Sequence, residues 1–167
     1  MPENAPGPDR PAMPEGYGIE KGTDGLLSWS EVVERLTASR NYWVCTARRD
    51  GRPHAMPVWG VWLDGAFYFS SDPASVKGRN LTRRPDASVH LESGDDAVII
   101  EGAVERLAGA EGLADFVDAY DAKYGIRVDT GDPAFGIYVL SPEVIFAWRE
   151  RDFPHSATRW RFDAARP

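Results

Sequence analysis

Two Asp-Gly pairs constrain this chain more than any other feature of its sequence. Asp50-Gly51 and Asp64-Gly65 separate three aromatic-rich runs with alternating apolar residues, at 42–48, 54–63 and 66–71. Asp-Gly between such runs is a strong signal for a tight hairpin turn, because glycine readily adopts positive φ. The pattern predicts an antiparallel meander of three strands. Pro57 donates no backbone hydrogen bond, so it predicts a bulge or a sheet edge within the second strand.

Helical spacing and further alternating runs complete the predicted order of elements. A Ser28–Glu31 capping box marks a helix that starts within 27–30 and ends near 39–41. Ser75 caps a short helix over 76–83, and Gly125 ends a helix over 112–124. Alternation predicts further strands at 87–92, 97–107, 136–140, 144–149 and 158–162. This order predicts an α+β fold, mainly β, whose antiparallel sheet closes into a barrel.

The domain organisation follows from length and from the placement of proline and glycine. A chain of 167 residues is the size of one domain. Five of the 13 prolines and five of the 16 glycines fall in the first 26 residues. Such a segment buries too little apolar surface to offset the entropy of ordering it. We therefore expect a flexible N-terminal arm over 1–26 and a single folded domain over 27–167.

Charge and hydropathy exclude several classes of protein. The net charge of −7 argues against a nucleic-acid binder, which normally carries a basic surface. The sequence contains no long apolar run and no secretory signal pattern, so neither a membrane span nor secretion is predicted. Cys45 is the single cysteine, which excludes an internal disulfide and favours the cytoplasm.

The basic residues are nevertheless concentrated locally. Residues 77–84 hold four basic side chains and no acidic one, and residues 149–161 hold four more against Glu150 and Asp152. A basic cleft that holds one phosphate, or the short acidic tail of a cofactor, is therefore compatible with the acidic chain.

Common catalytic templates are missing from the sequence. It contains no Walker A loop, no G-x-G-x-x-G after a strand, no G-x-S-x-G and no H-E-x-x-H. His54, His90 and His155 lack metal-ligand spacing, so no metal site is expected. We interpret His90 as a hydrogen-bonded core or interface residue, and leave His155 open between an exposed position and one near substrate. Other isolated groups have ordinary explanations. Cys45 is more typical of a small buried side chain than of a nucleophile. The acidic residues Glu92, Asp95 and Asp96 are more typical of a solvated turn than of a cation site.

One segment has the composition of an anion site. Ser70 and Ser71 end a strand, and Lys77 lies in the first turn of the helix that follows. Free N–H groups at a helix start, with an adjacent lysine, suit a phosphate. A solvent-exposed basic turn explains the same residues equally well, and the residues alone do not decide between the two.

Two further segments can be interpreted either as parts of a binding site or as ordinary parts of the barrel. Met56, Pro57 and Trp59 offer an apolar floor for a flat aromatic cofactor, or simply form barrel core with a bulge. At the end of the chain, Trp148 and Arg149 precede Arg159, Trp160 and Arg161. So many tryptophans and arginines suit a closing strand over a ligand or a subunit interface, since arginine pairs with phosphate and stacks on rings. A surface strand that covers the barrel is the alternative.

The order of these motifs is similar to that of a known family. Residues 50–59, 64–69, 75–81, Pro85 and 101–103 together resemble the pyridoxamine 5′-phosphate oxidase-like flavin split-barrel superfamily. The closest likeness is to the branch with flavin- and deazaflavin-dependent oxidoreductases, and it spans Trp43 to Phe162. The resemblance implies a split β-barrel with flanking helices, a homodimer, and a cofactor, FMN or the deazaflavin F-420, at the dimer interface. It favours the deazaflavin modestly.

The resemblance also implies a function and a set of site residues. The implied activity is hydride transfer between the bound cofactor and a small organic substrate, with no catalytic side chain identified. Cofactor contacts are implied for His54, Met56, Pro57, Val58, Trp59, Ser70, Ser71, Lys77, Arg79, Asn80, Trp148 and Arg159, with Arg161 as an alternative to Arg159. A split-barrel protein that binds flavin, haem or a related ligand without turnover is the alternative function.

Two departures from the family pattern limit what carries over. Val76-Lys77 stands where the classical pyridoxamine phosphate oxidases have Arg-Lys, and Thr158-Arg159-Trp160 stands where they have Arg-Leu-His. The oxidation of pyridoxamine phosphate is therefore not expected of this chain.

Overall fold

Antiparallel strands form one curled sheet, and helices flank it. The structure, a computed structural model, describes residues 5–107 and 113–163. Its strands are β1 (Tyr42–Ala47), β2 (Pro53–Val58), β3 (Gly60–Leu63), β4 (Ala66–Ser71), β5 (Asp86–His90), β6 (Asp96–Arg106), β7 (Gly136–Arg149) and β8 (Thr158–Arg161). Its helices are α1 (Trp29–Ala38), α2 (Val76–Arg83), α3 (Leu113–Tyr124) and α4 (Phe153–Ser156), with 3₁₀ turns at Glu15–Tyr17 and Glu150–Asp152.

The order of strands makes this sheet a split β-barrel. Neighbouring strands run β2-β1-β5-β6-β7-β4-β3, and β8 pairs with β7 beside this path. The two end strands, β2 and β3, are consecutive in the chain and are separated by Trp59 alone. The chain itself therefore connects the two ends of the curled sheet, which confirms the predicted α+β split barrel.

The prediction of one continuous strand over 54–63 is wrong. Val58 pairs with Tyr42 of β1, whereas Gly60 pairs with Phe69 of β4, so the chain changes partner strand at Trp59. Glycine is required at the change of direction, because a Cβ on Gly60 would lie 2.6 Å from the carbonyl oxygen of Tyr68. Pro57 lies in β2 at the end of the sheet path, so its predicted edge position is confirmed.

The prediction of two separate strands at 136–140 and 144–149 is also wrong. Strand β7 is continuous over 14 residues and pairs with β6 from Tyr138 to Arg149. A register shift between Glu101 and Gly102 lets β7 bend at Ser141–Glu143 without ending. A Cβ on Gly102 would collide with the carbonyl oxygen of Ser141, so a glycine permits the bulge.

The turn and capping signals in the sequence are confirmed. Asp64 and Gly65 have φ values of 47° and 83°, the two positive values of a type I′ hairpin turn. Ser28 and Glu31 form the full capping box of α1, and Ser75 accepts a hydrogen bond from the N–H of Gly78 at the start of α2. Helix α3 is described from Leu113, so its predicted first residue, Gly112, lies outside the described residues.

Two apolar clusters stabilise the fold. The larger fills the barrel and includes Tyr42, Phe67 and Trp160, with Trp29 of α1 packed against it. The smaller joins α3 to the outer side of β3 and β4 through Phe116. Burial of apolar surface is the dominant favourable contribution in both.

Residues of the predicted arm lie against the end of the chain. Asp9 exchanges two backbone hydrogen bonds with Arg159, and Arg10 donates to the carbonyl oxygens of His155 and Ala157. The division into an arm over 1–26 and a domain over 27–167 stays a prediction. Cys45 is partly rather than fully buried, and this partial burial raises the pKa of its thiol. Within the described residues, no helix is both long enough and apolar enough to cross a membrane.

Candidate functional site

Several of the predicted site residues meet where β4 leads into α2. The Oγ of Ser71 lies 3.2 Å from the Oγ of Ser75, which caps α2 and accepts from the N–H of Gly78 at 3.1 Å. The glycine is required, because a Cβ on Gly78 would lie 2.6 Å from the carbonyl oxygen of Pro73. The first N–H groups of a helix have no acceptor within it. Ser75 accepts from the N–H groups of Gly78 and Arg79, so among the described residues the N–H groups of Val76 and Lys77 remain as donors beside the two hydroxyls.

Basic side chains gather beside this helix start. Lys77 is half buried, and burial lowers its pKa. His54 of β2 also has a lowered pKa, first through burial and then through the positive charges of Arg48 and Lys77. Arg48 places an Nη 3.4 Å from the Nδ1 of His54. We call Arg48, His54, Ser71, Ser75 and Lys77 the Lys77 cluster.

The Lys77 cluster has the electrostatics of an anion site. None of its basic side chains forms an ion pair with a carboxylate in the part of the chain that the structure describes. Each positive charge lowers the affinity of its neighbours for protons, as the pKa of His54 shows. A bound anion would relieve this repulsion, and a phosphate group would be met by both hydroxyls and the lysine.

Buried polar contacts hold α2 against the sheet at this point. The Nδ2 of Asn80, a buried residue of α2, donates to the Oγ1 of Thr46 in β1 at 3.0 Å. Asn80 therefore positions the helix that carries Lys77. Arg79 is exposed, and its guanidinium donates to the carbonyl oxygen of Ala74 at the start of the same helix.

The remaining predicted residues of β2 and β4 are divided between different surfaces. Met56 is 45% exposed, Pro57 is also exposed, and Val58 faces the barrel core. Successive side chains of a strand point to opposite faces, so Ser70 faces away from Ser71. The Oγ of Ser70 is buried with no hydrogen-bond partner among the described residues.

Trp59 is held by residues that the sequence analysis did not identify. Its ring stacks on Tyr124 of α3 at 4.8 Å between centroids and 2° between planes, and the Arg40 guanidinium lies 4.9 Å from its centroid. The Tyr124 hydroxyl accepts from the N–H of Gly60 at 3.0 Å and lies 2.8 Å from the Gly60 carbonyl oxygen. Gly60 and Tyr124 are 64 positions apart, so no local pattern could have indicated this contact.

Lys123 makes a second connection between α3 and the strand crossover. Its Nζ donates to the hydroxyl of Tyr42 at 2.7 Å and to the carbonyl oxygen of Gly60 at 3.1 Å. Burial lowers the pKa of Lys123 to about 8. Its ammonium also lies over the rings of Tyr42 and Tyr124, which favours the positive charge.

Lys123 should make the stability of the protein depend on pH. The pKa of lysine in an unfolded chain is near 10.4. Between about pH 8 and about pH 10 the unfolded chain therefore keeps a proton on Lys123 that the folded protein has lost. Stability then rises with pH, because the burial penalty of the charged amine is full below the folded pKa and is relieved above it. We expect the free energy of unfolding of the wild type, relative to Lys123→Met, to increase from pH 8 to pH 10. Urea denaturation of both proteins at several pH values measures this difference, and a constant difference would refute the assignment.

Trp148 and Arg159 lie away from the Lys77 cluster within one protomer. Ser71 pairs with Gly136 at one end of β7, whereas Trp148 lies near the other end of this 14-residue strand, beyond its bend at Ser141–Glu143. The Nε1 of Trp148 is buried without a partner among the described residues. Arg159 makes two hydrogen bonds of 2.8 Å to the carboxylate of Asp9.

The other sequence candidates have ordinary environments. His90 stacks on Trp43 with ring centroids 6.4 Å apart, and its Nδ1 lies 2.8 Å from the carbonyl oxygen of Leu91. His155 pairs with Glu20 at 2.7 Å, and that hydrogen bond raises its pKa. No group of three or more His, Cys, Asp or Glu residues that could hold a metal ion occurs within residues 5–107 and 113–163.

Comparison with known proteins places this site in a family context. The family model described as pyridoxamine 5′-phosphate oxidase matches residues 28–149, which include the whole Lys77 cluster. No curated protein matches the chain. The crystal structure of conserved hypothetical protein Rv2991 from Mycobacterium tuberculosis is 25% identical, with a TM-score of 0.67 over 80% of this chain and 91% of that one.

Two more solved structures share the fold. A heme binding protein from Mycobacterium smegmatis is 24% identical, with a TM-score of 0.55, and the match covers 69% of this chain and 52% of that one. An F-420 reductase is 19% identical, with a TM-score of 0.54, and the match covers 67% of this chain and 94% of that one.

Proposed function

This chain belongs to the pyridoxamine 5′-phosphate oxidase family, and from that premise we propose that it is a cofactor-dependent oxidoreductase. It transfers hydride between a bound deazaflavin, F-420, or FMN and a small organic substrate. The observation that carries the proposal is the Lys77 cluster, where basic side chains without acidic partners adjoin two hydroxyls at a helix start. That an F-420 reductase shares the fold supports a cofactor of this kind.

The residues present fit the phosphate end of such a cofactor. Lys77 supplies a positive charge, while Ser71 and Ser75 supply hydroxyl donors beside the free N–H groups of α2. Met56, exposed on the same face of β2 as His54, offers an apolar side chain for the ring system. When bound, the cofactor ring supplies the redox chemistry. The protein then needs to fix the ring and exclude water, so the missing catalytic template is no obstacle.

A homodimer is part of the proposal. Strand β2 lies at the end of the sheet path with Ala55, Met56 and Pro57 exposed, and an open strand edge of this kind is normally covered. Trp148 of β7 and Arg159 of β8, which the family resemblance assigns to the cofactor, lie toward the end of β7 opposite to the one that pairs with Ser71. A second protomer could bring its own Trp148 to the first protomer's cofactor. Asp9 would then compete with the cofactor for Arg159.

The decisive experiment is the titration of purified protein with FMN and with F-420 in separate series, followed by fluorescence. Binding of either at micromolar concentration, about −8 kcal/mol, is the expected result. If neither binds at that level, the proposal fails. Sedimentation of the same sample tests the dimer, and a monomer with full cofactor affinity would contradict an interface site.

A binding protein without turnover is the second candidate, because one protein that shares the fold is a heme binding protein. A reduction assay with an artificial electron acceptor separates the two functions. Turnover with bound F-420 or FMN supports the oxidoreductase. Full occupancy by flavin or haem, with no turnover on quinones, enones or tetrapyrroles, supports the binding protein.

A further inference from the structure

A cleft of about 480 Å³ lies between the β1–β2 turn and α2. Arginines contribute most of its polar lining, with one carboxylate among them: the cleft is lined by Arg48, Arg49, Arg52, Arg79, Arg83 and Asp50. We call this space the arginine cleft. Arg48 and Asn80 belong both to this lining and to the surroundings of Lys77, so the two sites are continuous.

The charges in the arginine cleft are not balanced by the protein. Asp50 is already held by Arg52 through a 2.8 Å ion pair. None of the other four arginines has a carboxylate within ion-pair distance in the part of the chain described here. The whole chain carries 26 acidic residues against 19 basic ones, so acidic partners are plentiful elsewhere. Like charges that line one cleft repel one another.

The position of the arginine cleft relates it to the proposed cofactor. Strand β2 begins at Pro53, which pairs with Ala47 of β1, and ends at Val58, which pairs with Tyr42 of β1. Along this strand, Met56 is exposed on the same face as His54, the positive charge of Lys77 acts on His54, and Arg52 precedes the strand at the cleft. A ligand with its ring on Met56 and its phosphate at Lys77 would therefore direct any further group into the arginine cleft.

We infer that the arginine cleft binds a second anionic group of the same cofactor, beyond the phosphate held at Lys77. This inference rests on the proposed function and narrows its cofactor. The second group is either a phosphate or a short run of carboxylates. Both present negatively charged oxygen atoms, which suit the planar arginine guanidinium. FMN carries one phosphate and leaves the cleft empty. FAD adds a second phosphate, and F-420 adds the carboxylates of its glutamate tail.

The test compares three ligands on one pair of proteins. The double variant Arg49→Gln/Arg83→Gln removes two charges that have no acidic partner among the described residues, and both side chains are exposed, so the fold is retained. We expect FMN affinity to change less than twofold and the affinity for the ligand with the second anion to fall about tenfold or more. The ligand affected identifies the anion as phosphate or carboxylate. Added salt should lower the affinity for that ligand more in the wild type than in the variant.

The control is Arg151→Gln, which removes one exposed arginine outside the cleft lining. It should leave all three affinities unchanged. If the wild type binds FAD or F-420 and the double variant binds it equally well, the inference is wrong. The proposed function still stands in that case, provided that FMN or F-420 binds. An equal loss for FMN would also overturn it, because the arginines would then act on the first phosphate. If the wild type binds neither FMN nor F-420, the proposed function itself has failed.

Discussion

Replacing Lys77 with alanine is expected to weaken cofactor binding by about tenfold to a hundredfold, whichever of FMN and F-420 the protein binds. Hydrogen bonds to charged groups contribute about 1.5–3 kcal/mol, which corresponds to that range. Lys77 is half buried, and no carboxylate among the described residues pairs with it. The substitution therefore removes the principal positive charge available to a ligand phosphate. Fluorescence titration of both proteins at one salt concentration measures the effect.

The matched control is Lys21→Ala, because Lys21 is exposed and lies outside the Lys77 cluster. It should retain the wild-type affinity. Lys77→Arg should recover part of the loss, since the charge is kept while its position changes. Far-UV circular dichroism of each variant separates lost binding from lost folding. Unchanged affinity in a folded Lys77→Ala protein would rule out the phosphate assignment.

Replacing Trp160 with alanine is expected to lower the free energy of unfolding by about 3–5 kcal/mol. Trp160 of β8 is fully buried in the barrel core, opposite Ile145 of β7. Its ring lies 5.6 Å from that of Trp29, which joins α1 to the sheet. Truncation would leave a cavity between the closing strand and the first helix. Urea denaturation, with fluorescence and circular dichroism compared to check for two-state unfolding, measures the loss.

Trp160→Phe tests whether packing alone accounts for this stability. The Nε1 of Trp160 is buried without a hydrogen-bond partner among the described residues, so phenylalanine gives up no hydrogen bond there. Its cost should be clearly smaller than that of alanine. If the two substitutions destabilise the protein equally, the indole has a role that packing does not supply. A loss below about 1 kcal/mol for alanine would contradict a core position.

The elements confirmed from the sequence are those whose information is local. A type I′ turn at Asp64-Gly65 depends on two residues that tolerate positive φ, and the cap of α1 depends on Ser28 and Glu31. The edge position of Pro57 follows from its missing N–H. The likeness to the flavin split-barrel superfamily also came from short motifs in a fixed order, and the match over 28–149 confirms it.

The elements that the sequence predicts wrongly depend on strand partners that are distant in the chain. The strand over 54–63 divides because Val58 and Gly60 pair with different strands, and nothing between those residues encodes the choice. Strand β7 continues through its bend because Gly102, on β6, permits the close approach of Ser141. A break in local alternation therefore does not mark the end of a strand here.

The sequence by itself determined the class of fold, the turns and caps, and the segments that carry basic and hydroxyl side chains. Only the tertiary structure decided which of those segments meet. It brought Arg48 and His54 of the first hairpin beside Lys77 of α2, engaged Arg159 with Asp9, and placed Tyr124 against Trp59. The physical reason is that propensity, capping and turn geometry act over a few residues. A binding site depends on charges and contacts between residues that only chain folding brings together.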